Sequence, residues 1–410
     1  MERGAVTTGL LQQTSLTMLL IVLLGSFSPA LFSPTRSTIP DIHVTPPPVV
    51  TAITKPTVVP TPLPTAAPTP APAKRAQAGV GVAAGALAAG VGVGRQPFGV
   101  AAGLARLPEA TLNAQLDAMK AIGVTWVRFD LEWSNIQYAG PDSWDWTDYD
   151  RVVNAVHVRG LKALGILDYT PDWARRAECS GSMMCAPADP GAYAAFAAAA
   201  AGRYKSLGMH AWEIWNEPNN VQFYQPAADP GAYAALLAAA YPAIHGADPA
   251  ATVVTGGLSP AQTGGGDMSP PDFLAGVYAA GGQGHFDAVG DHPYSWPFTA
   301  TSYAPGGAWS QLTTLHDQMV AHGDGGKKIW LTEYGAPTGG DGAVSEALQA
   351  QIVTDAANAV AALAWTGPLF WYTWQDDGGS GSIEDYFGLL RQDGSPKPAL
   401  AAYQSSIASH

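Results

Sequence analysis

Residues 212–219 read WEIWNEPN. Trp212, Ile214 and Trp215 are bulky or β-branched side chains that suit a pleated, buried strand, and Pro218, with no N–H to donate, ends the pairing. Asn216 and Glu217 are thereby left at the strand's mouth beside apolar surface. A carboxylate there costs free energy unless it is paired or used. If this strand is one of a set, other apolar runs should end the same way.

They do so on both sides. Candidate strands occupy 97–102, 124–130, 161–167, 210–216, 251–257, 286–292, 327–333 and 368–374. Longer helix-like stretches lie between them, among them PEATLNAQLDAMKAIG (108–123), GAYAAFAAAAAGRYKSLG (191–208) and SEALQAQIVTDAANAVAALAW (345–365). Eight strands alternating with helices predict an α/β fold, a closed (β/α)8 TIM barrel over residues 96–410. An open, doubly wound sheet has the same element count and stays open as an alternative.

The chain before residue 96 has a different character. Residues 1–34 contain the apolar run LTMLLIVLL followed by small residues, the layout of an export signal. A single membrane anchor through residues 16–32 is the alternative, weakened by Pro29 and the serines in a span that needs ~20 apolar residues. Residues 35–95 form a linker, first rich in proline and threonine and then in alanine and glycine. The first part cannot bury a core and should be an extended spacer. Gly90, Gly92 and Gly94 superficially suggest a nucleotide-binding turn, but the required strand, helix and acidic residue are missing. Either reading of the first segment places the rest of the chain outside the cytoplasm, secreted or at the cell surface. The only two cysteines, Cys179 and Cys185, then read as a small disulfide loop.

Charge divides the same way. Residues 1–95 carry six basic and two acidic side chains, and the remainder carries 14 and 31. A barrel that acidic repels phosphate backbones, so nucleic acid is excluded as a partner. No cofactor or metal is expected, because neither a nucleotide fingerprint nor H-E-x-x-H is present, and serine hydrolysis lacks its G-x-S-x-G elbow.

Barrels of this kind place functional groups at the C-terminal ends of their strands. Here those ends offer Arg128, Asp130 and Trp133; Asp168 and Tyr169; Asn216 and Glu217; His292 and Tyr294; Glu333 and Tyr334; and Trp374. Cleaving a glycosidic bond needs two carboxyls on opposite sides of it. Glu217 and Glu333, at the fourth and seventh strands, would face each other across a closed barrel. Glu213 lies within its strand and reads as an interior carboxylate paired with Arg128.

WEIWNEPN, HPY (292–294) and LTEYG (331–335) resemble the fourth-, sixth- and seventh-strand motifs of glycoside hydrolase clan A, whose members are retaining β-glycosidases. WVRFDLEW and FGLLRQDGSPKPALAAY make the chain most similar to families 39 and 5, over about residues 96–410. The resemblance implies Glu217 as acid/base and Glu333 as nucleophile. It also implies Asn216 on the sugar 2-hydroxyl, Arg128 and Tyr294 on the nucleophile, His292 orienting these groups, and Trp374 as a platform under a sugar ring. Trp133, Trp173 and Trp296 are further stacking candidates. Family 39 β-xylosidases are expected to carry a β-sandwich after the barrel, for which the residues up to His410 leave no room. The expectation is therefore a monomeric, single-barrel hydrolase of a polysaccharide or oligosaccharide, working in carbohydrate metabolism at or beyond the cell wall. A transglycosylase would use the same residues, and a non-catalytic glycan-binding barrel would need the aromatics but not both carboxylates.

Overall fold

The computed structural model describes residues 97–302 and 307–410. The expected signal or anchor (1–34), the whole of the expected linker (35–95) and the boundary at 95–96 lie outside the described residues. No described helix is long and apolar enough to cross a membrane.

Eight parallel strands close in chain order: β1 (Phe98–Ala101), β2 (Trp126–Glu132), β3 (Lys162–Asp168), β4 (Ala211–Ile214), β5 (Thr252–Thr255), β6 (Ala288–Asp291), β7 (Lys328–Tyr334) and β8 (Thr366–Tyr372). β8 pairs back onto β1, with Gly99 opposite Phe370, which excludes the open sheet. Helices α1 (Glu109–Ala121), α2 (Trp133–Ile136), α3 (Thr147–Val158), α4 (Pro190–Tyr204), α5 (Pro230–Ala247), α6 (Pro270–Ala279), α7 (Ala308–Ala321), α8 (Glu346–Ala362) and α9 (Pro398–Ser409) complete the fold.

Side-chain alternation along each strand sorts residues between the helical layer and the barrel interior. At the N-terminal end the interior is filled by Ala101, Leu164, Ala211, Val254, Ala288, Trp330 and Phe370, with Trp126 packed against them. Trp126 meets Trp330 edge-on at 5.3 Å and Phe370 at 6.3 Å. Gly99 makes room for this aromatic floor: a Cβ there would lie 2.5 Å from the Phe370 ring. Above the floor the same alternation turns Arg128, Asp130, Asp168, Glu213 and Tyr372 inward. The interior thus changes from apolar to charged along its axis.

Two helices start from the same words, Asp-Pro-Gly-Ala-Tyr. Asp189 and Asp229 are their N-caps, accepting from Gly191 and Ala232 N–H, with proline at the first helical position where its missing donor is harmless. The shared tyrosine, Tyr193 or Tyr233, is fully buried and donates to a strand carbonyl: Tyr193 to Leu167 O at 2.5 Å and Tyr233 to Ile214 O at 2.7 Å. Each helix is thereby pinned to the C-terminal end of a strand.

β4 stops at Ile214, earlier than the sequence suggests, and Pro218 is not what stops it. Trp215 (φ 71°) and Glu217 (φ 47°) are left-handed, as is Tyr169 (φ 59°) just after β3. Such residues cost about 1–3 kcal/mol each and persist where their surroundings over-determine them. Here Trp215 N–H donates to Leu167 O, its indole N–H to Phe223 O, and Glu217 N–H to Gly257 O.

Candidate active site

Arg128, inward-facing on β2, organises the charged layer. Its Nε donates to Glu213 Oε2 (2.6 Å), Nη1 to Glu333 Oε1 (2.5 Å), and Nη2 to Glu213 Oε1 (3.2 Å) and Asn216 Oδ1 (2.9 Å). Glu213 is completely buried and also accepts from Gly257 N–H and the Thr332 hydroxyl. The interior carboxylate expected from the sequence is therefore fully partnered, as burial of a charge requires. Asn216 spends its carbonyl on Arg128, which leaves its amide N–H groups as donors.

Glu333 takes a second hydrogen bond from the Tyr294 hydroxyl to Oε2, at 2.7 Å. Burial by itself pushes this carboxyl upward, but His292, Arg128 and Tyr294 together outweigh it and hold Glu333 below the usual carboxylate range. Glu217 is biased the opposite way. Burial, reinforced by the negative charge of Glu333, raises it despite the opposing pull of His292. Oxygens of Glu217 and Glu333 and a His292 nitrogen all lie within 4.8 Å of one another.

His292 Nδ1 is 2.9 Å from Glu217 Oε1, and Nε2 is 3.1 Å from Thr332 Oγ1. The Thr332 proton is committed to the Glu213 carboxylate, so toward His292 the hydroxyl can only accept, and Nε2 carries the hydrogen. A proton therefore lies between Nδ1 and Glu217 whichever of the two holds it. The imidazole is raised: burial works downward, and the attraction of Glu333 and Glu217 exceeds it. Gly257 permits this packing, since a Cβ there would sit 2.1 Å from His292 Nε2. Glu217 Oε2 is buried, and the Ser259 side chain acts on the same carboxyl.

The structure thus brings together Glu217, Glu333, Arg128, Asn216, His292 and Tyr294. It does not bring Trp374. That ring is 2% exposed and packs in the core between barrel and helices. The chain turns after β8, so Tyr372, in line with Phe370 on the inward face, presents a partly buried ring instead. Trp133 is likewise fully buried, stacked on Phe196, and cannot meet a sugar. Trp173 is 37% exposed at the rim, and half-buried Trp296 stands edge-on to Tyr294.

Asp130 and Asp168 lie side by side at the mouths of β2 and β3. Burial and then Glu132 push Asp130 up to about 6, and burial with Asp130 beside it raises Asp168 well above the usual carboxylate range. Sequence reasoning gave no role to Thr332, Gly257 or Tyr372. Only the alternation of Phe370 and Tyr372 was available as a signal, for the last of these.

The Cys179–Cys185 disulfide is formed, with Cα atoms 5.4 Å apart. It lies after β3, with Cys185 fully buried against the Gln225 segment rather than at the surface.

A model of glycosyl hydrolase family 14 matches residues 101–172, from β1 to just beyond β3, a segment that ends before both Glu217 and Glu333. Wheat (Triticum aestivum) β-amylase Tri a 17 is 34% identical over 58 residues, 14% of this chain and 12% of that protein. Among solved structures, a family 39 glycoside hydrolase from Bacteroides cellulosilyticus WH2 superposes with a TM-score of 0.61 at 24% identity, over 77% of this chain and 64% of that one. A monomeric β-xylosidase from Caulobacter crescentus CB15 gives 0.55 at 19%, over 76% and 67%. A family 5, subfamily 18 protein from Streptomyces cattleya in complex with GlcNAc gives 0.56 at 19%, over 77% and 80%. The described barrel has the (β/α)8 fold of family 39 and family 5 glycosidases.

Proposed function

We propose that the barrel is a retaining β-glycosidase that hydrolyses O-glycosidic bonds of a polysaccharide or oligosaccharide by double displacement. One observation carries this reading: Glu217 and Glu333 hold oxygens within 4.8 Å across the mouth of the barrel while their protonation is biased in opposite directions. Retaining enzymes hold the two carboxyls about 5–5.5 Å apart, whereas inverting enzymes need about 6.5–9.5 Å to admit a water. Facing oxygens within 4.8 Å leave little room for such a water, which supports the first. That the structural neighbours are glycoside hydrolases supports glycosidase activity in general.

In this reading ionised Glu333, fixed by Arg128 and Tyr294, attacks the anomeric carbon. Neutral Glu217 gives its proton to the departing glycosidic oxygen, so the C–O bond breaks as the ester to Glu333 forms. Glu217, now ionised, takes a proton from water, which attacks the same carbon and releases Glu333. The proton taken from water leaves Glu217 neutral for the next cycle, and His292, hydrogen-bonded to its Oε1, holds the carboxyl in place. Asn216, oriented by Arg128, donates to the 2-hydroxyl. Tyr372 supplies the ring surface under the sugar.

The test separates the two glutamates. Glu333→Ala should abolish turnover of every glycoside. Glu217→Ala should retain attack on an aryl glycoside whose leaving group needs no acid, and added azide should then yield a β-glycosyl azide. Full activity of Glu333→Ala, or an α-configured azide, overturns the assignment. We further infer export of the barrel, supported by the disulfide, since such bonds persist in oxidising compartments.

A further inference from the structure

The three side chains that meet at the barrel mouth also make a ligand set. His292 Nδ1 lies 2.9 Å from Glu217 Oε1 and 3.7 Å from Glu333 Oε2. One ligand atom from each of the three residues lies within 4.8 Å of the other two. Among the described residues no other three histidine, cysteine or carboxylate side chains come together in this way. A zinc ion held at about 2.0–2.2 Å by nitrogen and oxygen keeps tetrahedral ligands about 3.3–3.5 Å apart. The two nitrogen–oxygen separations fall on either side of that spacing, so small rotations of the carboxyls would complete it.

Behind the imidazole stands the support that a metal-bound histidine needs. Nε2 carries the hydrogen and donates to Thr332 Oγ1, whose own proton goes to Glu213. That chain holds the ring with Nδ1 toward the two glutamates and raises the basicity of Nδ1, as outer carboxylates do for metal-bound histidines. Glu333 gives Oε1 to Arg128 and Oε2 to the Tyr294 hydroxyl, and Oε2 keeps a second lone pair. The Arg128 charge is matched by Glu213 on its other side. Once the proton between Glu217 and His292 leaves, Glu217 and Glu333 therefore remain as two negative charges for a divalent ion to meet.

We propose that Glu217, His292 and Glu333 bind a divalent transition-metal ion of the zinc class, which acts as an inhibitor rather than a cofactor by taking the place of the scissile bond. The metal site stands on the geometry, and the inhibition rests on the glycosidase reading. The ion accepts a lone pair from Nδ1 and one from each glutamate, and the proton shared by Nδ1 and Glu217 passes to solvent. Glu217 then has no proton to give, and Glu333 is coordinated instead of free to attack. Water takes the fourth position. Entry is past Glu333, whose side chain is 14% exposed. One imidazole with two carboxylates suits zinc, whereas magnesium and calcium want larger shells of oxygen alone.

The test titrates the full chain with zinc chloride by calorimetry, in a buffer that does not bind metal, and needs no glycoside. One zinc per barrel should bind, with a dissociation constant on the order of micromolar, and X-ray absorption at the zinc edge should find a single imidazole in the shell. Glu333→Gln and His292→Asn should each weaken binding by about tenfold or more, and Thr332→Val, which removes the hydroxyl behind the ring, by about tenfold. His245→Asn, which alters the pair with Asp287 at the C-terminal end of α5, should change nothing. Against an aryl β-glycoside, zinc should inhibit competitively with an inhibition constant equal to that dissociation constant. Magnesium at the same concentration should not inhibit, and a chelator should restore the rate. The inference is overturned if zinc fails to bind at millimolar concentration, if Glu333→Gln and Thr332→Val both bind it like the wild type, if His245→Asn weakens it instead, or if inhibition is not competitive. Glycoside turnover that depends on Glu333 would leave the glycosidase reading standing in those cases. Zinc bound through these residues by a barrel that cleaves no glycoside would keep the metal site and remove the glycosidase reading together with the inhibition.

Discussion

Tyr294 illustrates how much one hydrogen bond does inside the barrel mouth. Its O–H stabilises only the ionised form of Glu333, so Tyr294→Phe should raise the Glu333 pKa and move the acid limb of kcat/KM to higher pH. The limb has this sign because activity needs Glu333 ionised, and protons then compete more successfully for it. A hydrogen bond to a charged group is worth ~1.5–3 kcal/mol, so the plateau should also fall about tenfold or more. A pH–rate profile of the variant checks both, and an acid limb that stays put or moves lower contradicts the role. The basic limb belongs to Glu217, raised by burial, so the two limbs together report the pair. At this scale the sequence was legible for groups whose chemistry announces itself: Glu217, Glu333, Arg128, His292, Tyr294 and Asn216 all converge. It misled at Trp374 because the largest aromatic near a strand end is not the one that faces inward. Facing is set by alternation up to the last paired residue and is lost where the chain turns.

Elements are tied to the site by the paired tyrosines of α4 and α5, and the two are not equivalent. The Tyr233 hydroxyl donates to Ile214 O and also accepts from Gly256 N–H. Leu167 O, the acceptor for Tyr193, is also paired with Trp215 N–H. Tyr233→Phe strands a buried donor and should destabilise by about 1–3 kcal/mol, whereas Tyr193→Phe leaves its carbonyl satisfied and should cost about 0.5–1.5 kcal/mol. Denaturant titration of both variants tests the order, and an equal or reversed cost would show that other contacts dominate. All eight strands and the main helices were legible, since apolar runs and amphipathic stretches report burial directly. The strand ends were not. Left-handed Tyr169, Trp215 and Glu217 break the pairing through backbone conformation, and none is a glycine that would signal it.

Across the whole molecule, closure joins the first strand to the last, and α9 locks the seam through Tyr403, whose hydroxyl donates to Gly99 O. The disulfide acts separately, closing a loop of six-residue separation that ties the segment after β3. Loop-closure entropy for so short a ring predicts about 2 kcal/mol of stability. Reduction should lower the unfolding midpoint accordingly, and mass measurement of protein recovered outside the cytoplasm should find the pair bridged. Two free thiols in that fraction would remove a support for export. The aromatic floor of Trp126, Trp330 and Phe370 has a consequence for traffic. With the axis stoppered at one end, a glycan bound as proposed has a single doorway and no thoroughfare, so a long chain would be gripped across the rim rather than reeled through. The severed piece would back out by the way the next one enters, and arrivals and departures would take turns at one threshold.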